Sequence, residues 1–375
     1  MIYLDNGATS FFKPPAVVRA VVRAMQTCAN PGRGGYKASM DAAREVFRCR
    51  ELAGELFGCD GEQVVFTSNC THGLNIALSS MVSPGDRVLI SGFEHNAVTR
   101  TLHGLGAQMV VAGRRLFDPA DTLEAFAAAL KSGVKAAVFT HVSNVFGYIL
   151  PAGEMAALCR HHGVPFCLDA AQSAGVLDVN LKGLGADYIA MPGHKGLLGP
   201  QGTGLLLCGR KPRPLLFGGT GSASREQQMP DFLPDGLEPG TLNVPGIAGL
   251  AAGLEYIRDT GRETIFRREH AQLLRCVQGL KKQGLQVFSG DSQAGTVSFL
   301  PGGDCEEMAR LLAERGAAVR AGLHCAPLAH RSGGTLQTGT VRVSFGHDAS
   351  PRQTGALLWA LDTLAENDRE NIKFL

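Results

Sequence analysis

Between residues 60 and 210 the chain repeats one pattern: a short apolar run, a break rich in glycine or polar residues, then a stretch with apolar positions three and four apart. The short runs fall at 64–66, 87–90, 109–111, 136–139, 165–168, 188–191 and 204–207. They are apolar nearly throughout instead of alternating, the pattern of strands covered on both faces. Segments 121–131 and 153–162 carry helical spacing between them. Strands and helices in alternation predict an α/β fold, with a large domain whose mostly parallel seven-stranded sheet is flanked by helices.

The pattern changes after residue 212. Pro, Gly and polar residues crowd 212–246, including Gly218-Gly219-Thr220-Gly221-Ser222, and predict a long functional loop. A helical stretch over 246–283, broken near Gly261, leads to alternating strands (286–288, 296–299, 341–344) and helices (304–316, 350–366). This predicts a smaller α+β C-terminal domain. The expected division is a large domain over 15–255 and a small one over 256–375, joined by residues 1–14.

Composition narrows the function. A chain of 375 residues with 45% hydrophobic and 19% charged residues is an ordinary globular protein, and a net charge of +2 gives no case for nucleic acid or an anionic membrane as partner. The start, Met1-Ile2-Tyr3-Leu4-Asp5-Asn6, enters a strand-like segment without a signal-peptide pattern, and no apolar stretch reaches membrane-spanning length. A cytoplasmic enzyme is the expectation. The ten cysteines are scattered, with no C-x-x-C pair and no clustered histidines, so neither a metal site nor a disulfide framework is expected.

Lys195, in Met191-Pro192-Gly193-His194-Lys195-Gly196, follows one predicted strand, and Asp169 ends the strand before it. Ligands on such sheets bind beyond the carboxyl ends of the strands. There the pair suits pyridoxal 5'-phosphate (PLP): lysine holds the aldehyde as a Schiff base and the carboxylate keeps the pyridine nitrogen protonated. Thr67-Ser68-Asn69-Cys70-Thr71-His72-Gly73 leads from a strand into a helix and reads either as a phosphate cradle or as a plain N-cap by Ser68 or Asn69. His95 is placed to stack on a flat ring or move protons, or else is structural. Asn144 can donate to a cofactor oxygen, or simply begin the turn Asn144-Val145-Phe146-Gly147.

Together these segments resemble the class V aminotransferase-like branch of fold-type I PLP-dependent transferases, and within it group II cysteine desulfurases and selenocysteine lyases. The resemblance runs nearly end to end, through Tyr3-Leu4-Asp5-Asn6-Gly7-Ala8, Glu94-His95-Asn96, His141-Val142-Ser143-Asn144, Asp169-Ala170-Ala171-Gln172, Gly193-His194-Lys195, Glu238-Pro239-Gly240-Thr241, Arg320-Ala321-Gly322-Leu323-His324-Cys325 and Val341-Arg342-Val343-Ser344. It implies Lys195 as the Schiff-base lysine, Asp169 as partner of the pyridinium, Gln172 and Asn144 at the phenolic oxygen, and His95 on the ring. Thr71, the Cys70 backbone, His194 and, from a second subunit, Thr241 would hold the phosphate, which implies a homodimer. Arg342 would clamp the substrate carboxylate, and Arg320 would sit near the thiol. Cys325 stands where desulfurases place the nucleophile that takes sulfur from L-cysteine and passes it to an acceptor protein; Arg320 and His324 are expected to favour its thiolate. The bland alternative for Cys325 is a buried packing residue. Four positions depart from the family pattern: Pro192 for serine, Leu323 for histidine, His72 for glutamate and Tyr36 for histidine.

The leading expectation is a PLP-dependent cysteine desulfurase. A selenocysteine lyase, a class V aminotransferase or epimerase, and a non-catalytic sulfur-relay scaffold are the competing ones.

Overall fold

The seven apolar runs become seven neighbouring strands. A computed structural model describes residues 1–32 and 34–372, with side chains as far as Leu364. Its strands are β1 (Ile2–Tyr3), β2 (Val64–Thr67), β3 (Arg87–Ser91), β4 (Gln108–Ala112), β5 (Ala136–Thr140), β6 (Phe166–Asp169), β7 (Tyr188–Pro192), β8 (Gly204–Cys208), β9 (Gln286–Phe288), β10 (Thr296–Leu300), β11 (Ala317–Ala318), β12 (Arg320–Gly322) and β13 (Thr340–Ser344). The large sheet has the order β2-β8-β7-β6-β5-β3-β4. All of its strands run parallel except β8, which is antiparallel to both β2 and β7.

The helices are α1 (Pro15–Thr27), α2 (Lys37–Phe57), α3 (Cys70–Met81), α4 (Asn96–Gly104), α5 (Pro119–Leu130), α6 (Ala152–His161), α7 (Leu181–Leu184), α8 (Val244–Thr260), α9 (Arg262–Lys282), α10 (Cys305–Glu314), α11 (Pro327–Ser332) and α12 (Pro351–Ile372). Among the described residues no helix is long and apolar enough to cross a membrane. Six of the strands read as apolar because successive residues enter two different cores; the expectation of cover on both faces fails at β4, the sheet edge, where Met109 is exposed. On β6, Phe166 and Leu168 join one core with Phe139, Ile189 and Leu205, under α2, α5, α6 and α8. Cys167 points the other way, to Val138, Ala190 and Leu206 beneath α3 and α4. Phe139 stacks on Phe166 at 5.5 Å and meets the edge of Phe126 at 5.7 Å.

A third core, with Leu4, Leu273, Phe299, Leu312, Val341 and Leu357, lies under an antiparallel sheet of order β12-β13-β10-β9. Helix α9 spans the two regions: Ile265 enters the first core, and Leu273 to Leu280 enter this one. β1 pairs in parallel with β11, so the N-terminus packs here, as its pattern predicts. Strands β11 and β12 are too short to leave a sequence signal. Residues 373–375 of the expected C-terminal unit lie outside the described residues.

The predicted loop is irregular over 212–243 apart from a single turn at Asp235–Leu237, and its last three residues, 244–246, already belong to α8. It is anchored by Glu238, which is buried, pairs with Arg50 and accepts the Phe66 N–H at 2.6 Å. Arg50 also donates to the Val64 carbonyl and lies 4.4 Å over the Phe66 ring. Removing one member of a buried pair strands the other charge, a cost of about 3–5 kcal/mol. Glu238→Ala should therefore lower stability by about that amount in denaturant titration, and Glu238→Gln, whose single amide oxygen keeps the Phe66 bond but whose NH2 group faces Arg50, by only somewhat less.

Candidate active site

Parallel strands β5, β6 and β7 end side by side, with Thr140 paired to Asp169 and Asp169 to Ala190. Beyond those ends lies a cavity of about 240 Å³ walled by Cys70, Thr71, His95, Asn144, Asp169, Gln172, His194 and Lys195. The sequence expectation placed every one of these at the cofactor. Thr241 is the exception, because it lines a separate cavity of about 1200 Å³ with Gly219, Thr220 and Gly221.

Lys195 makes no ion pair and no side-chain hydrogen bond among the described residues. It is half-buried by surface area, yet burial of its amine, reinforced by the Arg342 charge, pulls the pKa below that of an ordinary lysine, with Asp169 opposing. Asp169 is buried and fixed through Oδ1, which accepts from the Ala171 N–H at 2.9 Å and from the Cys70 thiol at 3.4 Å. The helix-start segment combines a side-chain cap with free backbone donors. Asn69 caps α3 by accepting the His72 N–H at 2.9 Å. The N–H groups of Cys70 and Thr71, at the first two positions, have no acceptor within the helix and sit at its positive end.

His95 likewise does two jobs. It is the N-cap of α4, with Nδ1 accepting the Ala97 N–H at 3.0 Å, so the ring proton belongs on Nε2. Burial lowers its pKa, against the pull of Asp169. Its neighbour Glu94 was missed by sequence reasoning, because adjacency is its only signal. Glu94 is buried, and its Oε1 accepts from Ser91 Oγ, from the Ser91 N–H at 3.3 Å and from the Thr140 N–H at 3.0 Å, which clamps the ends of β3 and β5 together. Burial raises its carboxyl to about 8.

Asn144 begins the predicted turn, closed by Gly147 N–H to the Ser143 carbonyl at 2.9 Å, with Gly147 at φ 69°. Its Nδ2 donates to the His324 carbonyl at 2.8 Å, while its Oδ1 is buried without a partner. Gln172 donates to the Gly7 carbonyl at 2.9 Å, which shows a feature the sequence did not reveal: residues 5–10 strap across the cavity. Ser10 N–H reaches the His194 carbonyl at 2.9 Å, and Thr9 Oγ1 lies 3.1 Å from His194 Nδ1. Burial and the nearby Lys195 and Lys13 charges hold His194 at about 4.

Cys325 is not a packing residue. It is exposed, whereas Cys28 is intermediate and the other eight cysteines are buried. His324 and Cys325 have φ of 48° and 56°, the left-handed region that side chains other than glycine seldom adopt. The corner is held by the Asn144 bond and by the Asn96 N–H, which donates to the Cys325 carbonyl at 2.7 Å. Cys325 lines a groove of about 590 Å³ that adjoins the inner cavity, the two sharing Thr71, His95 and Ala97 as walls. His324 contradicts its expected role. Burial and the Arg342 charge push it down to about 2, and its ring turns inward onto His330, so it brings no positive charge to the thiol. Arg320 remains as the nearby cation, and its charge interacts with Cys325. Of the departures from the family pattern, Pro192 lines the cavity without an N–H to offer, Leu323 and Tyr36 are exposed, and His72 folds back to 3.3 Å from Ser68.

Arg342 is buried. Its Nη2 donates to Asp5 Oδ1 at 2.7 Å, its Nη1 to the Asn144 carbonyl at 2.9 Å, and its Nε is without a partner.

The chain is similar to known proteins over nearly its whole length. The family described as aminotransferase class-V matches residues 2–357. A probable cysteine desulfurase of Pyrococcus abyssi is 30% identical, with 99% of this chain and 96% of that protein covered. One from Xylella fastidiosa (strain Temecula1) is 31% identical over 96% of this chain and 90% of its own. Among solved structures, the apo form of a cysteine desulfurase from Thermococcus onnurineus superposes with a TM-score of 0.89 at 31% identity, covering 98% of this chain and 95% of that one. The cysteine desulfurase CsdA of Escherichia coli, solved with an S-sulfonic acid, gives 0.83 at 25% identity, covering 97% and 94%.

Exposure and thiol acidity together set which cysteine reacts. Burial raises Cys59 to about 11, and Cys49, Cys159 and Cys276 to about 12. Alkylation of the native protein near neutral pH should label Cys325 first, and Cys325→Ser should remove that fast phase in mass spectrometry. The buried thiols should react only after unfolding.

Proposed function

We propose that this chain, which belongs to the aminotransferase class-V family, is a PLP-dependent cysteine desulfurase that converts L-cysteine to L-alanine and leaves the sulfur as a persulfide on Cys325. One observation carries the reading: an exposed thiol on a strained corner lines a groove that shares walls with the cavity of a desolvated lysine and a buried carboxylate.

The residues fit that cofactor. Lys195, unpaired and with its pKa depressed, has an amine available to bond the aldehyde carbon. Asp169, held through Oδ1, would hold the pyridine proton. The start of α3, with Thr71 and His194, would take the phosphate. The unpartnered Asn144 Oδ1 and the remaining N–H of Gln172 would face the ring substituents. When bound, the cofactor supplies an electron sink that makes the substrate Cα proton removable.

The protein's own groups do the rest. Arg342 has donors left over from Asp5 and Asn144, including the free Nε, and would pair with the substrate carboxylate. The Lys195 amine would take the Cα proton. His95 presents only Nε2–H to the cavity and so acts there as a donor. The Cys325 thiolate attacks the substrate sulfur: a sulfur–sulfur bond forms, the Cβ–sulfur bond breaks, and its electron pair ends as a C–H bond of alanine. The persulfide would then pass to an acceptor protein. The position of Thr241, away from the Lys195 cavity, supports a homodimer in which this residue serves the partner's site.

Sulfide and alanine release should be measured from L-cysteine and L-selenocysteine side by side. Cys325→Ala should lower release from L-cysteine by on the order of a hundred-fold or more while the visible absorbance of the cofactor persists. Lys195→Ala should lose that absorbance. Unchanged L-cysteine turnover in Cys325→Ala, with selenocysteine preferred, would transfer the reading to a selenocysteine lyase. A protein that gains no cofactor absorbance with added PLP would end both.

A further inference from the structure

The two arginines of the site meet on one internal anion. Asp5 is buried, and its Oδ1 accepts from Arg342 Nη2 at 2.7 Å. Arg320 grips the same carboxylate side-on, with Nε 2.9 Å from Oδ2 and 3.2 Å from Oδ1, and Nη2 2.7 Å from Oδ2. Planar forks of this kind transmit orientation as well as charge.

Asp5 is itself fixed from several sides. Its carbonyl accepts from Tyr3 Oη at 3.1 Å and from the Ala8 N–H at 3.0 Å, and its backbone bridges to Ser344. Gly7, whose N–H donates to Ser344 Oγ at 2.7 Å, lies so close that a Cβ there would come within 3.3 Å of Arg342 Cζ. The strap is therefore a frame that fixes the Asp5 carboxylate, and both guanidiniums take their orientation from it. One carboxylate against two guanidiniums leaves a single surplus positive charge, which matches one incoming substrate carboxylate.

We propose that Asp5 is a positioning residue: a single carboxylate sets both the Arg342 fork that receives the substrate carboxylate and the strength of the Arg320 charge felt at Cys325. This rests on the desulfurase reading for the identity of the substrate, but not for the effect on the thiol. Asp5→Asn keeps the shape and removes the charge. Arg342 then loses its orienting partner, while Arg320 is no longer neutralised and acts more strongly on the thiol.

The test uses Asp5→Asn and Asp5→Glu. In the holoenzyme, the KM for L-cysteine should rise by about ten-fold or more in Asp5→Asn, with kcat much less affected. In the same variant, the pH profile of Cys325 alkylation should move to lower pH. Asp5→Glu retains the charge but shifts the forks, so it should raise KM and leave the alkylation profile in place; this variant decides the matter if Asp5→Asn does not fold. A strap that is merely structural would lower the melting temperature without moving the profile. An unchanged KM or an unmoved profile in Asp5→Asn overturns the proposal. If the wild-type protein releases no sulfide, the functional reading fails, and the alkylation profile alone judges Asp5.

Discussion

The site depends on a constraint of register. Parallel pairing aligns the ends of β5, β6 and β7, so Thr140, Asp169 and Ala190 lie at one level and β7 runs two residues further, to Pro192. Parallel strands need a long crossover between them, and each crossover here places a loop above that level. Asp169 stands at the end of one strand and Lys195 just past the end of the next, so the fold brings them to one pocket although the chain between them is long. Glu94 reinforces the alignment by bonding the ends of β3 and β5, and the same stretch of chain sets His95 as the cap of α4.

Burial then gives these groups their chemistry. The surroundings that lower the Lys195 amine also raise the Glu94 carboxyl and the buried thiols, because the charged form of each is the one that loses water. Cys325 differs in standing on an exposed corner. His324 shows how misleading sequence proximity can be. It adjoins the thiol in the chain, yet it is buried neutral against His330, whereas the cations near Cys325 come from Arg320, whose charge interacts with it, and Arg100, which lines the same groove.

Much of this was legible in the chain. The seven runs mark the sheet because double-sided burial leaves continuous apolar stretches, and Gly261 marks the break between α8 and α9 because its φ of 83° suits glycine. The wall residues around Lys195 were legible through motif order. What stayed hidden depends on distant contacts. Asp5 reads as an ordinary polar residue in a short strand, and only folding brings it to Arg320 and Arg342. Gln172 reads as free to serve a ligand, yet one of its N–H groups is committed to the Gly7 carbonyl. The ambiguities at Asn69–Thr71, His95 and Asn144 dissolved for a simple reason: each side chain or helix start has more than one donor or acceptor, so capping and lining a cavity coexist.

The strap over residues 5–10 ties the two ends of the chain to the same few ångströms of space. During synthesis the large sheet, with Asp169 and Lys195, is complete once β8 has emerged, but Arg342 on β13 comes almost last. The carboxylate-reading half of the site therefore depends on contacts between segments 337 residues apart, whereas Asp169 and Lys195 come from neighbouring strands.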